Sequence, residues 1–332
     1  MSILLEPRRI LTELDPRAVI DHPSGFLALS PRNRRFTVRG LSGFMAYREK
    51  GMHLLALGGV HAPEEERAVL LDEFLALARR RARRVIAVQV RADQVELFRA
   101  RGFTVNQLGT TFGVRLPGFS YAGTRRMKVR QKVKQARTAG LRVLEVGREL
   151  PADETTFSRL TAISEAWLGA KGKKELDFMI GEIGRPGDPE RRIFVVFDGD
   201  GQAQGFITYV PVWGQRPGYL HDLTRRLPHA PVGAMELCNA RAIECFGAEG
   251  VPYLHFGFTP FVVNGETGPG GSPLLSWLVR LLHRYGSFIY PAERQAQYKL
   301  KWAPDVVETE YIAFRPLSVR AVVDLLLLTQ AI

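Results

Sequence analysis

Between Gly218 and Glu236 the chain reads GYLHDLTRRLPHAPVGAME, and this segment dictates how a strand must hand over to a helix. Tyr219 and Leu220 close an apolar run, and Asp222 and Arg225 follow three residues apart. Pro228, Pro231 and Gly233 then forbid regular structure until a helical period begins at Met235. That period runs through Met235, Cys238, Ala242, Cys245 and Phe246, with Asn239, Arg241 and Glu244 on other faces. The expectation is an apolar strand, a turn holding one carboxylate and two guanidinium groups, and a helix that opens towards Arg225 and Arg226. Free backbone N–H groups and the positive end of a helix dipole beside two arginines suit a phosphate or a developing oxyanion. The competing reading is an ordinary loop with solvated arginines, one of them paired to Asp222.

The same alternation extends along the chain and predicts an α/β fold with mixed sheets. Met52 to Val60 reads as an apolar strand, and Pro63 with Glu64, Glu65 and Glu66 opens a helix carrying Val69, Leu70, Phe74, Leu77 and Ala78. Strands are expected at Val85 to Val90 and Thr111 to Leu116, with a short helix ending ELFRARGF between them. In the second half a helix over Asp153 to Leu168 precedes a hairpin from Ile193 to Val210 that turns at Asp198-Gly199-Asp200-Gly201. A strand at Tyr253 to Phe258 and the loop TPFVVNGETGPGG follow. Ser272 and Pro273 then start a helix with Leu274, Leu275, Leu278, Leu281 and Leu282. At 332 residues the chain is long enough for two domains, and they are placed at 1–120 and 121–332. The halves share an order of elements but no residue-level repeat.

Charge sets the next constraint. Lys and Arg number 46 against 34 Asp and Glu, a net charge of +12, which favours polyanions such as RNA or an anionic membrane surface. A basic helix is expected at 124–140, where Arg125, Arg126, Lys128, Arg130, Lys132 and Lys134 meet no acidic residue and Val129, Val133 and Ala136 share the buried side. Cys238 and Cys245 lie seven apart on one helix, too far for a disulfide, and read as core residues in a reducing compartment. The N-terminus lacks a secretory pattern and no apolar run reaches the roughly 18 residues of a spanning helix. The histidines and cysteines show no metal-ligand spacing, and no nucleotide-loop or serine-elbow motif occurs. Zinc, nucleotide hydrolysis and serine-hydrolase chemistry therefore lack support. For the final segment, 316–332, packing on the domain is the expectation, with a membrane-surface helix as the alternative.

Several patches together resemble the soluble C-terminal domain of the phosphatidylglycerol lysyltransferases. They are KQARTAGLRV, Trp167-Leu168 with Lys171, Glu175 and Phe178, then YLHDLTRRLPHAPVGAME, HFGFTP and YKLKWAPDVVETEYIAF. The ELFRARGF segment is similar to the closing helix of a GNAT-type acyltransferase unit. The resemblance implies two tandem GNAT-like domains, as in Fem-type transferases. It further implies a transferase that takes an amino acid from charged tRNA to a hydroxyl or amine acceptor, without a cofactor. It places Asp222, Arg225 and Lys299 or Lys301 in the active site. Glu308, Arg226, Tyr298 and Gly233 follow as substrate-binding candidates and the basic helix as the tRNA contact. His221 and Trp302 depart from the family pattern, where an apolar residue and Phe are expected. Without the membrane domain that often precedes such a module, a cytoplasmic enzyme with peripheral contact at the inner membrane face is expected. The acceptor stays open between a lipid, a peptide and a small metabolite. Two alternatives accompany this reading: an acyl-CoA-dependent N-acyltransferase and a non-catalytic tRNA-binding protein.

Three physical expectations about the site follow from the residues. Asp222 should have its pKa lowered by Arg225 nearby. Lys299 and Lys301 should alternate along a strand and point to opposite faces. A guanidinium fork at Arg225 should match a phosphate.

Overall fold

The computed structural model describes residues 15–171, 181–263, 271–285 and 292–329. The first half contains α1 (Gly25–Ala28), β1 (Arg34–Thr37), β2 (Phe44–Lys50), β3 (His53–His61), α2 (Glu64–Arg80), β4 (Arg84–Arg91), α3 (Val95–Arg99) and β5 (Thr104–Arg115). The second contains α4 (Met127–Thr138), β6 (Arg142–Glu145), α5 (Glu154–Lys171), β7 (Arg192–Phe197), β8 (Ala203–Val212), β9 (Gly218–Arg226), α6 (Ala234–Ala248) and β10 (Tyr253–Pro260). It ends with α7 (Pro273–Tyr285), α8 (Ala292–Leu300), β11 (Val306–Arg315) and α9 (Val319–Leu328).

Among the described residues all strands join one sheet in the order β1-β2-β3-β4-β11-β5-β10-β9-β8-β7-β6. This order is nearly symmetric about the β11–β5 contact. On each side lies a parallel pair, β3–β4 or β9–β10, joined by a crossover helix, α2 or α6. The closing strand of each half crosses over. β5 pairs antiparallel with β10 of the second half, and β11 pairs antiparallel with β4 of the first. The fold is mixed α/β, as expected, and its two halves repeat one arrangement of strands and helices. Their element order, seen in the sequence as weak evidence of duplication, is a spatial repeat. The sheet runs unbroken past the junction expected at residue 120.

Local chemistry explains most elements. Helix α2 has three acidic residues in its first turn and two arginines in its last, matching its dipole, and it buries Leu70, Leu71, Phe74, Leu75 and Ala78. The β7–β8 turn is built by Asp198, whose Oδ1 accepts from the N–H groups of Asp200 and Gln202. Helix α4 buries Val129, Val133 and Ala136, the side expected of it. Helix α9 buries Ala321 and Asp324, and the Asp324 carboxylate accepts from His53 Nδ1 at 2.7 Å and the Met52 N–H at 3.0 Å. The final helix therefore packs on the domain through buried hydrogen bonds to Asp324.

Three expectations are corrected. Strand β9 continues through Asp222, Arg225 and Arg226, so these residues lie in the strand and the turn is confined to 227–233; pairing with β8 as far as Gly205↔Arg226 extends it. Tyr298 and Lys299 belong to α8, with Lys301 in the turn behind it, so the two lysines do not alternate along a strand. Strand β5 starts at Thr104 rather than Thr111, because β11 and β10 flank it on both sides and bury Asn106, Thr110 and Thr111, whose polarity conceals the strand in the sequence. Glu175, Phe178 and residues 264–270 of the expected loop lie outside the described residues, as do the side chains of Leu278 and Leu282.

Gly233, offered as a substrate-binding residue, has a packing role. It caps α6 with φ +90°, and a Cβ there would stand 2.2 Å from the Lys132 carbonyl oxygen of α4. Gly233→Ala is expected to destabilise the fold by about 2 kcal/mol or more. That corresponds to a drop of roughly 5 °C in the thermal midpoint. A midpoint unchanged within a degree or so would show that α4 and α6 do not need this close approach.

Candidate functional site

Strands β9 and β10 pair over only three residues, Gly218–Leu220 against Tyr253–His255. Beyond that, β9 follows β8 to Arg226 and β10 follows β5 to Pro260. Gly257 takes φ +71° where β10 turns away, and a Cβ at this position would stand 2.9 Å from Leu220 Cδ1. Backbone groups at such a break need new partners. Lys299 supplies them from α8: its Nζ donates to the carbonyls of Gly257 and Phe258, each at 2.9 Å. Burial pulls the Lys299 amine down to about 7, with Glu310 opposing the shift. A neutral amine that gives both hydrogens to carbonyls keeps a lone pair to accept a proton.

The first half parts in the same way and is closed differently. Strands β3 and β4 pair from His53↔Arg84 to Leu57↔Val88 and then separate. Gln94 fills this break: its Oε1 accepts from the Val60 N–H at 2.9 Å and its Nε2 donates to the Val60 carbonyl at 3.0 Å. An amide has satisfied this opening with a neutral, non-basic group.

A polar network adjoins Lys299 on the α6 face. Asn239 Nδ2 donates to the Met235 carbonyl and to Tyr298 Oη, so its Oδ1 accepts from Tyr209 Oη at 2.7 Å and His221 Nδ1 at 3.1 Å. This fixes His221 as the Nδ1–H tautomer, leaving Nε2 to accept from Thr224 Oγ1. Burial, with Lys299 adding to it, holds His221 down to about 3, so the ring is neutral at physiological pH. Trp302 is fully buried and stacks on Phe256 with centroids 5.4 Å apart. The two departures from the family pattern, His221 and Trp302, therefore both line this side. Lys301 pairs with Glu236 and lies 3.8 Å from the Tyr298 ring centroid, so its charge is neutralised in place.

Asp222 and Arg225 face the other side of β9, towards α1 and α5. Asp222 is paired with Arg191 at 2.5 Å, whose guanidinium lies over the Phe26 ring. Burial raises the Asp222 carboxyl, with Arg191 opposing, which reverses the lowering by Arg225 expected from the sequence. The cause is the near-complete exclusion of water from this carboxylate. Arg225 is buried, donates from Nε to Ser164 Oγ at 3.1 Å and lies 4.2 Å from the Trp167 ring centroid. Arg226 is exposed. The four residues proposed as catalytic thus form two groups, one on each face of β9, with Lys299 in the break between β9 and β10.

Two carboxylates on β11 complete the surroundings. Glu308 pairs with Arg216 and lines a small cavity with Asp21, His22, Trp213 and His255. Glu310 is buried, 3.8 Å from His22 Nε2. Burial pushes its carboxyl up to about 8, Glu308 adding to the rise while Arg91, Lys299 and Gln89 oppose it. The sequence reading missed Glu310, although its place two residues from Glu308 on one strand put both on one side. On the basic helix, Arg125, Lys128 and Lys134 are exposed, and Lys132 is half-buried. Arg126 instead donates to the Trp302 and Ala303 carbonyls, and Arg130 to those of Tyr121 and Gly123. These two cations hold the turn behind α8 and the start of α4.

The family described as phosphatidylglycerol lysyltransferase, C-terminal, matches residues 13–314. The lysylphosphatidylglycerol biosynthesis bifunctional protein LysX of Mycolicibacterium gilvum is 28% identical over 221 residues, covering 64% of this chain and 20% of the relative. The chain thus spans about a fifth of the length of that relative. The structure of L-PGS from Bacillus licheniformis superposes with a TM-score of 0.72 at 22% identity, covering 92% of this chain and 90% of the other. A C-terminal domain from Agrobacterium fabrum, described as part of a lysylphosphatidylglycerol synthetase, gives 0.76 at 19% identity over 96% and 97%. At these identities the two structures speak for the fold.

The buried amine and carboxyl set a pH dependence of stability. Lys299 falls from 10.5 to about 7 on folding, so between these values the unfolded chain binds more protons and stability rises with pH. Glu310 rises from 4.5 to about 8, so between these values the folded chain binds more protons and stability falls as pH rises. Urea midpoints across this range should lose the upper rise in Lys299→Met and the lower fall in Glu310→Gln. Parallel profiles for wild type and both variants would contradict the two shifts.

Proposed function

This chain belongs to the phosphatidylglycerol lysyltransferase C-terminal family, and from that membership we propose that it moves an aminoacyl group from charged tRNA to an acceptor hydroxyl or amine. An anionic lipid of the phosphatidylglycerol type is the first acceptor to test. The observation that carries the reading is Lys299, a buried amine with both hydrogens engaged at the break between β9 and β10. An aminoacyl ester is already activated. Transfer therefore requires alignment, removal of one proton from the acceptor and stabilisation of a tetrahedral oxyanion. No covalent enzyme intermediate is needed.

In this reading the acceptor oxygen or nitrogen attacks the ester carbonyl carbon while the Lys299 lone pair takes its proton. The bond to the tRNA ribose oxygen then breaks, and the proton passes from the Lys299 ammonium to that leaving oxygen. Backbone groups of β9 beyond Leu220, freed from pairing with β10, offer donors to the oxyanion, each worth roughly 3 kcal/mol. Holding both substrates in the break contributes several kcal/mol more, about 7 in favourable cases. Arg225, with its planar fork fixed by Ser164 and Trp167, binds a phosphate of the tRNA end or of the acceptor. Asp222 acts through Arg191, ordering the turn before β7. Lys301 is assigned to holding Tyr298 and Glu236, which leaves Lys299 as the active-site lysine. The tRNA backbone lies along the exposed side of α4, at Arg125, Lys128 and Lys134.

The test is transfer of labelled amino acid from a total charged-tRNA pool to a lipid extract and to a soluble metabolite extract, with and without ribonuclease. Ribonuclease-sensitive label is expected in the lipid. Lys299→Met should lower the rate about 100-fold or more and remove the pH dependence near 7. Arg225→Ala should raise the requirement for tRNA or acceptor. Label in neither extract, with tRNA binding retained, would instead mark a binding protein.

A further inference from the structure

Helix α7 has apolar residues on both sides. Leu275 and Val279 are buried in the core beneath it, while Leu274 is 71% exposed, Trp277 54% and Leu281 37%. Spacings of three and four place these three on one outward stripe. Helix α9 contributes Ala321 to the same core and leaves Val319 82% exposed. The two helices therefore cover one side of the sheet and present a shared outward surface.

The charges on that surface have one sign. Helix α7, PLLSWLVRLLHRY, contains no acidic residue, and its Arg280 is exposed. The one carboxylate of α9, Asp324, is turned inward onto His53 and the Met52 N–H. Arg320, which pairs with Asp324 through Nε at 2.9 Å, is itself 61% exposed. An outward face of Leu, Trp and Val bordered by arginines, on a chain of net charge +12, matches the boundary between acyl chains and anionic headgroups. Trp277 has the ring type that favours this depth, an apolar body with one polar N–H. A protein partner for so basic a face would need matching acidic groups; a headgroup layer supplies them without specificity. Among the described residues no helix is long and apolar enough to cross a membrane, so contact through this face is peripheral.

We propose that the outward face of α7 and α9, centred on Leu274, Trp277 and Leu281, is a docking surface for an anionic lipid bilayer. The proposal deepens the lipid-acceptor reading, on which it rests for its purpose. Helix α7 packs against α8, which carries Lys299. Docking therefore holds the face next to the site at the lipid surface.

The test is co-sedimentation of the full chain with vesicles of phosphatidylglycerol and phosphatidylcholine, and with vesicles of phosphatidylcholine alone. Binding to the anionic vesicles is expected. In a Trp277→Glu, Leu281→Glu double variant it should weaken at least about tenfold, with the thermal midpoint unchanged. Equal binding by variant and wild type, or no vesicle binding by wild type, would overturn the proposal. So would a wild-type dimer that dissociates in the variant, since the face would then belong to a second copy. Transfer to phosphatidylglycerol dispersed in detergent separates the two ideas. Transfer kept in the variant while vesicle binding is lost supports both. Vesicle binding without transfer in wild type defeats the acceptor reading and leaves the docking surface standing.

Discussion

Two parallel strands that stop pairing after three residues expose backbone carbonyls to a dry interior, where an unpaired polar group costs on the order of 1–3 kcal/mol. In this fold the carbonyls of Gly257 and Phe258 are satisfied by one amine, Lys299. That arrangement ties three levels together. The break exists because Gly257 lets β10 turn from β9. The amine reaches it because α8 packs beside β10. Burial then makes the amine a weak base suited to taking a proton near neutral pH.

The symmetric relation of the halves sharpens the point. Both contain a parallel pair that separates after a short run, yet one opening holds the amide of Gln94 and the other the amine of Lys299. The first amide bridges the donor and the acceptor of a single residue and closes the gap. The second leaves a basic lone pair and stands beside Glu310, His221 and Tyr298. The exchange of β5 and β11 between the halves places Glu308 and Glu310 at the seam. The chemistry thus gathers around the second opening, with groups drawn from both ends of the chain.

Much of the fold was legible because its signals are local. Acidic first turns, Pro and Gly punctuation and apolar periods marked α2, α4, α6 and most strands. The misreadings arose where tertiary pairing overrides local pattern. Strand β5 begins with a polar run that only its two neighbours make into a strand. Asp222 and Arg225 read as a turn pair because the sequence cannot show that β8 extends β9, nor that Arg191, from the segment before β7, is the partner of Asp222. Lys299 was named from family resemblance, but its helical setting and its two carbonyl partners depend on contacts across about 40 residues. Glu310 went unread, since nothing nearby in sequence announces its burial.

The most direct measurement is a titration of the Lys299 side chain itself, by NMR of 13C-labelled lysine with Lys299→Met as the assignment control. The account predicts a midpoint of about 7 for this one amine. A midpoint near the ordinary lysine value of about 10.4 would mean that the amine stays charged at neutral pH and cannot take the acceptor proton.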